Sequence, residues 1–433
     1  MILSRYSYCT LLLLPFIALM PDRNGTSLTL LLIAAGFLAW AQQKAPSLPT
    51  GPLRVVSSIF LAYAILLGIN ILMVADAAPI QTLHQSLRAG TYLAPVAAVA
   101  TVLALANIKL SWGAASLAFP AAAIISGLMA LIQRLIFDLH RAEGFTNAIL
   151  FSDICVILVA MTIATAPLWP VTSKQRRALT WGASILGLAA VIMSGSRGSW
   201  LAIPILGWIL IHGYMAKRPR LYWRSLGLLA LSVPVSFIFP MVRARVDLAI
   251  GEISRYIIEG HIHSSVGARL EIWRISLFEM FPTNPWLGVG IHQFKPALNA
   301  LAEKGSIDPT FVWISHPHNE WLYVLVEQGL VGLFGLLAVY VGCYWAISRS
   351  LNSEPRHKPL QLANYCLFAG FLVFGLTDIM TGNLITAMFF FGMIAWLALM
   401  SQSLRLQPQE GKSRETKTQQ NTRTFNEQLQ TST

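Results

Sequence analysis

Charge is scarce in this sequence. Asp, Glu, Lys and Arg make up 12% of its 433 residues, about half the share found in a soluble domain. With 55% hydrophobic residues, that shortage excludes both a water-soluble globule and a wholly disordered chain. Cysteine is scarce too. Cys9, Cys155, Cys343 and Cys366 each sit inside an apolar run with no CxxC pair, so neither a disulfide framework nor a thiolate metal site is expected. HExxH and Asp-x-Asp are both missing, and the acidic residues of the segment 241–318 are scattered, which argues against a metal-dependent mechanism. Segments of alternating polarity, the mark of a transmembrane β-barrel, are absent. No small-residue cleavage site follows the first apolar run, "CTLLLLPFIALM", so it reads as a retained span rather than a signal peptide.

What the chain does have is long apolar runs, many of 18 or more residues and each able to cross about 30 Å of hydrocarbon. They predict an all-α polytopic membrane protein of about 12 spans, at 7–21, 27–41, 55–75, 91–107, 112–133, 147–167, 177–193, 199–215, 222–240, 319–347, 359–377 and 383–404. The segment 78–89 reads as a short interfacial helix. The Gln/Thr-rich stretch from 405 reads as a disordered tail. The expected organisation is therefore spans over 1–240, an extramembrane loop over 241–318, spans over 319–404 and a tail over 405–433.

Positive charge orients these spans. Lys174, Arg176, Arg177, Lys217, Arg218, Arg220 and Arg224 crowd one set of loops, whereas the opposite set holds few basic residues, such as Arg88, Arg134, Arg141 and Arg197. Both termini are thus expected inside and the 241–318 loop outside. The net charge of +12 is explained by this anchoring and calls for no nucleic-acid partner.

Three motifs fall on the outer side. "SGSRGSW" (194–200) joins two spans. Its small residues admit close approach of backbone amides, Ser194 and Ser196 can donate hydrogen bonds, and Arg197 adds a permanent charge before a helix N-terminus, which makes an oxyanion cradle. "VGARLEIWRISLFEMF" (266–281) is an amphipathic helix with Leu270, Trp273, Leu277 and Phe278 at helical spacing. Its Arg269 and Arg274, five apart, do not share a face. "HPHNEW" (316–321) opens an apolar helix: Pro317 disfavours helix at His316, and Asn319 or Ser315 can cap the run that follows. His316 and His318, two apart, point in different directions, so one is expected to be catalytic and the other supporting. Gly329 and Gly332 read as helix-packing positions. Ionisable groups within the spans, Asp153, His212 and Glu327, are isolated, which weakens the competing reading of an ion-coupled transporter.

These motifs, in this order and placement over roughly 180–340, resemble the O-antigen ligase and polymerase superfamily of bacterial envelope enzymes. The resemblance implies a C-type glycosyltransferase-like fold with one large periplasmic loop, in the inner membrane of a Gram-negative cell. It implies metal-independent, inverting transfer of a glycan from undecaprenyl pyrophosphate to lipid A–core, with no cofactor. Polymerase and protein O-oligosaccharyltransferase activities are the alternatives within the superfamily. Arg197 stands at the arginine of the Ser-Arg-Gly turn, Arg269 at the arginine opening the loop helix, and His318 at the histidine before Asn. These three are expected to be catalytic. Ser194, Ser196, His316, Asn319 and Arg274 are expected to contact substrate. Membrane lipids, the lipid-linked donor and the lipid A–core acceptor are the expected partners of a monomer.

Overall fold

With no water in a bilayer to pair its amides, an apolar run must satisfy them internally, and every regular element among the described residues is helical. A computed structural model describes residues 9, 12–19, 25–43, 48–74, 91–107, 112–236, 238, 240–351 and 354–406. In chain order the principal helices are α1 (Gly25–Ala41), α2 (Gly51–Val74), α3 (Ala94–Leu105), α4 (Ala118–Leu135), α5 (Ala148–Thr165), α6 (Ser173–Ser194), α7 (Arg197–Met215), α8 (Pro219–Ser236), α9 (Pro240–Glu259), α10 (Ser265–Ile275), α11 (Phe294–Glu303), α12 (Glu320–Ala338), α13 (Lys358–Phe374) and α14 (Leu384–Leu406).

Seven helical stretches among these residues are long and apolar enough to cross a bilayer: Gly51–Met73, Gly113–Leu135, Ala148–Leu168, Ser173–Ser194, Arg197–Met215, Glu320–Ser350 and Leu384–Leu404. This is a polytopic helical membrane protein. Residues 7, 8, 10, 11, 20 and 21 of the expected span at 7–21, the expected interfacial helix at 78–89, and all but the first two residues of the expected tail lie outside the described residues.

Burial separates the middle of the bundle from its rim. The spans built on α5 and α14 are 89% and 94% buried, against 22% for α7. The first two are surrounded by protein. On the outer faces of α6 and α7, Trp181, Ile185, Leu201 and Trp208 are exposed, an apolar surface fit for lipid contact. Small residues set the closest crossings: a Cβ at Gly127 would strike the Leu186 backbone, and one at Gly187 would strike Val159.

Gly329 departs from its expected role. It sits inside α12 at φ +65°, ψ −164°, and interrupts the helix. A side chain there would collide with the Trp286 carbonyl. The segment 285–290 inserts at the break, where Val289 N donates to Val326 O at 2.8 Å, Gly290 N to Glu327 O at 3.0 Å and Leu330 N to Pro285 O at 2.9 Å. "NPWLGVG" is therefore the strand-like plug of a broken helix, and Asn70 of α2 clamps it by donating to Leu287 O at 2.6 Å. Gly329 is glycine because its conformation and the close plug both forbid a Cβ.

The segment between α9 and α12 has its own small core of Ile272, Ile275, Met280, Phe294, Leu298, Ile307, Phe311 and Ile314, closed by Val326 of α12. The buried face of α10 is thus Ile272 and Ile275, not the expected Leu270–Trp273–Leu277–Phe278 stripe. A π-helical turn over Ser276–Met280 follows α10 and turns Leu277 and Phe278 outward.

Candidate active site

The entry to α12 is built as its sequence suggests. Asn319 is the N-cap, with its side chain accepting from Leu322 N at 3.1 Å. Before it, His318 holds a left-handed φ of +49°, a conformation that a non-glycine residue keeps only when its surroundings impose it. One restraint is the Trp273 indole of α10, which donates to Pro317 O at 2.8 Å. Arg269 lies four residues before Trp273, on the same helix face, so the bond that pins Pro317 also aims Arg269 at the histidines. Arg274 faces elsewhere, paired with Glu271 at 2.8 Å and Glu279 at 3.5 Å. Those pairs raise its pKa, the Glu271 hydrogen bond most of all.

Between α13 and α14, the loop 375–383 carries the group that organises the cluster. Asp378 Oδ1 is 3.4 Å from His318 Nδ1 and 3.9 Å from His316 Nδ1. Asp378 is buried. Burial alone would raise its pKa, but the His318 hydrogen bond and the two imidazole charges overcome that and lower it. The loop is held by Glu320, the first residue of α12. Its buried carboxylate accepts from Met380 N at 2.6 Å, from Thr381 N at 3.1 Å and from the Thr381 hydroxyl. Glu320 N donates to Gly375 O at 2.7 Å.

The Ser-Gly-Ser-Arg turn closes the other side. Gly195, at φ +62°, ends α6, and Ser196 occupies the N-cap of α7 without a side-chain cap bond. A Cβ on Gly198 would overlap the Thr377 side chain, so the turn packs directly on the Asp378 loop. Arg197, first residue of α7, is close enough to Arg269 for their charges to interact: burial lowers the Arg269 pKa most, Asp378 opposes this, and Arg197 adds to the lowering. The Arg269 guanidinium nonetheless remains charged at any physiological pH.

The fold therefore gathers Arg197, Arg269, His316 and His318 around Asp378. Ser194 and Ser196 are also near, but buried within the turn: Ser194 Oγ donates to Val191 O at 2.7 Å, and Ser196 Oγ accepts from Ser199 Oγ at 3.1 Å. Their hydroxyls shape the turn. His316 accepts the His318 backbone N–H on Nδ1 at 3.3 Å. Burial, followed by the His318 charge, pushes its pKa down to about 4, so it is neutral at neutral pH.

Arg269 and His318 line one side of a cleft of about 380 Å³, with His263, Phe311, Trp313 and Ile314 among its other walls. That volume lies within the range of small-molecule sites.

Sequence reasoning missed Asp378 as part of the site, and it gave Glu320, a member of the polar cluster at 316–320, no role. For Asp378 a signal existed: a single acid in "TDIMTGN", between two spans and on the same side as "HPHN". The metal expectation is revised as well. It rested on spacing along the chain, yet among the described residues His316, His318 and Asp378 bring one ligand atom each to within 4.8 Å of one another and could hold an ion.

Comparison with known proteins agrees with the motifs. Residues 182–337 match the family described as O-antigen ligase. A Haemophilus influenzae (strain ATCC 51907 / DSM 11121 / KW20 / Rd) protein named only "Uncharacterized protein" is 23% identical over 242 residues, covering 55% of this chain and 60% of that relative.

Proposed function

We propose that this chain, whose 182–337 segment matches the O-antigen ligase family, transfers a glycan from undecaprenyl pyrophosphate to the lipid A–core acceptor at the periplasmic face of the inner membrane. The observation that carries the reading is the convergence of Arg197, Arg269 and His318, from three distant segments, on Asp378.

Each group has a task that its surroundings suit. Pyrophosphate is a good leaving group, and what its departure needs is positive charge where negative charge grows. Arg197 and Arg269 supply it as forked donors, in surroundings drier than water. The acceptor hydroxyl attacks the anomeric carbon as His318 takes its proton. Asp378, facing Nδ1, orients the imidazole, leaves Nε2 toward the acceptor and stabilises the imidazolium that forms. His316 is neutral, so the proton meets no like charge on its neighbour. One displacement breaks the bond from the anomeric carbon to the phosphate oxygen, forms the bond to the acceptor oxygen and inverts the centre. No metal enters these steps.

The test is reconstitution in vesicles with a labelled undecaprenyl-pyrophosphate glycan and three acceptors: core lipid, a second lipid-linked glycan, and protein. Product on core lipid alone is expected. Product on the second donor would mean a polymerase, and product on protein an oligosaccharyltransferase. Passage of unmodified label across the vesicle would replace the enzyme with a carrier.

A further inference from the structure

We infer that His316, His318 and Asp378 form a binding site for a borderline transition-metal ion of the Zn²⁺ class, and that the ion blocks the site. One clause of this, the blocking, rests on the transfer reaction proposed above; the binding does not.

The observations are geometric. Two imidazoles and one carboxylate offer ligand atoms all within 4.8 Å of one another. Tetrahedral Zn²⁺ with bonds of about 2.0–2.2 Å sets its ligand atoms roughly 3.3 Å apart, close to the 3.4 and 3.9 Å separations of Asp378 Oδ1 from the two Nδ1 atoms. His318 Nδ1 is buried and faces only the Asp378 carboxylate, at 3.4 Å and outside good hydrogen-bond geometry, so an ion that replaces the proton on Nδ1 meets both groups. The backbone that presents these side chains is already fixed by the Glu320 carboxylate and the Trp273 indole, so little ordering is left to be done on binding. The fourth position opens on the cleft that His318 lines, as in sites that keep one coordination place for water or substrate.

Ligand type selects the ion. Two imidazoles and one carboxylate favour Zn²⁺, Ni²⁺ or Cu²⁺ over Mg²⁺, which prefers an all-oxygen octahedron. Two nearby guanidinium groups oppose any cation, and a single carboxylate does not cancel them, so the site is weaker than a structural zinc centre. One bond is exchanged: the His318 N–H that His316 Nδ1 accepts at 3.3 Å is lost if that nitrogen turns to the ion. A metal on His318 Nδ1 leaves the ring proton on Nε2, so the lone pair that would take the acceptor's proton is lost, and its charge displaces the guanidinium groups from their phosphate-binding arrangement. Blocking follows from both.

The experiment uses the full chain in detergent, stripped with chelator and desalted. Calorimetric titration with ZnCl₂ is expected to show one site, and MgCl₂ none. His316→Ala and Asp378→Asn should each weaken Zn²⁺ binding by about 10–100-fold or more, the range for disturbing a metal site's own surroundings. His261→Ala and His263→Ala, altering a histidine pair in the outer segment, should leave it unchanged. In the wild-type chain, Zn²⁺ should shield His316 and His318 from diethylpyrocarbonate, read by mass spectrometry; this arm needs no variant to fold. Zn²⁺ should also stop glycan transfer, and EDTA restore it. Absence of one-site binding, sensitivity only to the 261 and 263 changes, or unprotected His316 and His318 would each overturn the site. Transfer that continues with the ion bound would overturn the blocking. Failure of transfer in metal-free protein would refute the ligase reading alone, with the binding measurements still deciding the site.

Discussion

At the residue scale, the opposite fates of His316 and His318 are set by their surroundings, since the two are chemically identical and two positions apart. His318 faces a carboxylate, while His316 accepts an amide proton and stays neutral. His318→Ala is expected to insert and fold normally yet lose transfer by on the order of 10²–10⁴-fold, and His316→Ala to lose less; comparing initial rates of the two purified variants checks the order. Arg197→Lys and Arg269→Lys should both be defective in kcat/KM, because an ammonium group keeps the charge but lacks the fork that meets two phosphate oxygens. His316 also predicts an acid sensitivity. Its pKa falls from 6.5 to about 4 on folding, so below 6.5 the unfolded chain binds the extra proton and stability declines as pH drops toward 4. The loss is at most about 3 kcal/mol. Melting curves from pH 7 to pH 4 should show His316→Gln losing less stability than wild type over that window. The residue types of this site were legible in the sequence, as was their grouping on one side. Which imidazole does which came only from the family resemblance, because a pKa depends on burial and on neighbours such as Asp378 that lie 60 positions away.

At the scale of elements, two connections turn separate helices into one site. Glu320 ties the start of α12 to the loop before α14, and Glu320→Ala would strand the Met380 and Thr381 amides at about 1–3 kcal/mol apiece. The expected result is a lower melting temperature together with reduced kcat, although Glu320 touches no substrate; partial recovery in Glu320→Gln would confirm that its acceptor atoms matter. The break in α12 is the second connection. Gly329→Ala must hold a backbone of φ +65°, ψ −164° that is open essentially to glycine alone, at about 1–3 kcal/mol, and also displace the Trp286 carbonyl, so a strong loss of folded protein in the membrane is expected, measured by detergent-solubilised monodisperse yield. Gly332→Ala would strike the backbone-fixed Gln328 Cβ but demands no left-handed conformation, so it too should lower the yield, by less than Gly329→Ala. A helix-packing reading of Gly329 was natural, since glycine in an apolar run usually marks a helix contact. The break is visible only once the plug from residues 285–290 is seen to supply the amide partners that the interrupted helix has given up.

At the scale of the molecule, the site requires that Arg197, Arg269 and His318 share one side of the membrane. Arg141 Nε donates to Ser194 O at 2.6 Å, which puts the 138–147 loop on the same side as the Arg197 turn. Single cysteines at 140 and 262 should therefore react together with a membrane-impermeant thiol reagent in cells with a permeabilised outer membrane, in a background lacking Cys9, Cys155, Cys343 and Cys366. Cysteines at 217 and 356 should be protected; labelling at 217 and 356 with 140 and 262 protected would invert the orientation, and a split between 140 and 262 would dismantle the site. The sequence by itself determined that the chain is a helical membrane protein, that a helix begins at Asn319, and that Arg197, Arg269, His316 and His318 belong together. Hydrocarbon leaves a chain few ways to satisfy its amides, and capping and charge asymmetry act locally. Only the tertiary structure decided that Asp378 is the centre of the cluster, that Ser194 and Ser196 shape their turn, that α10 buries Ile272 and Ile275, and that three dispersed ligands meet within reach of one ion. Each of these depends on long-range contacts, through Glu320, Trp273 and Gly198, that no local pattern encodes.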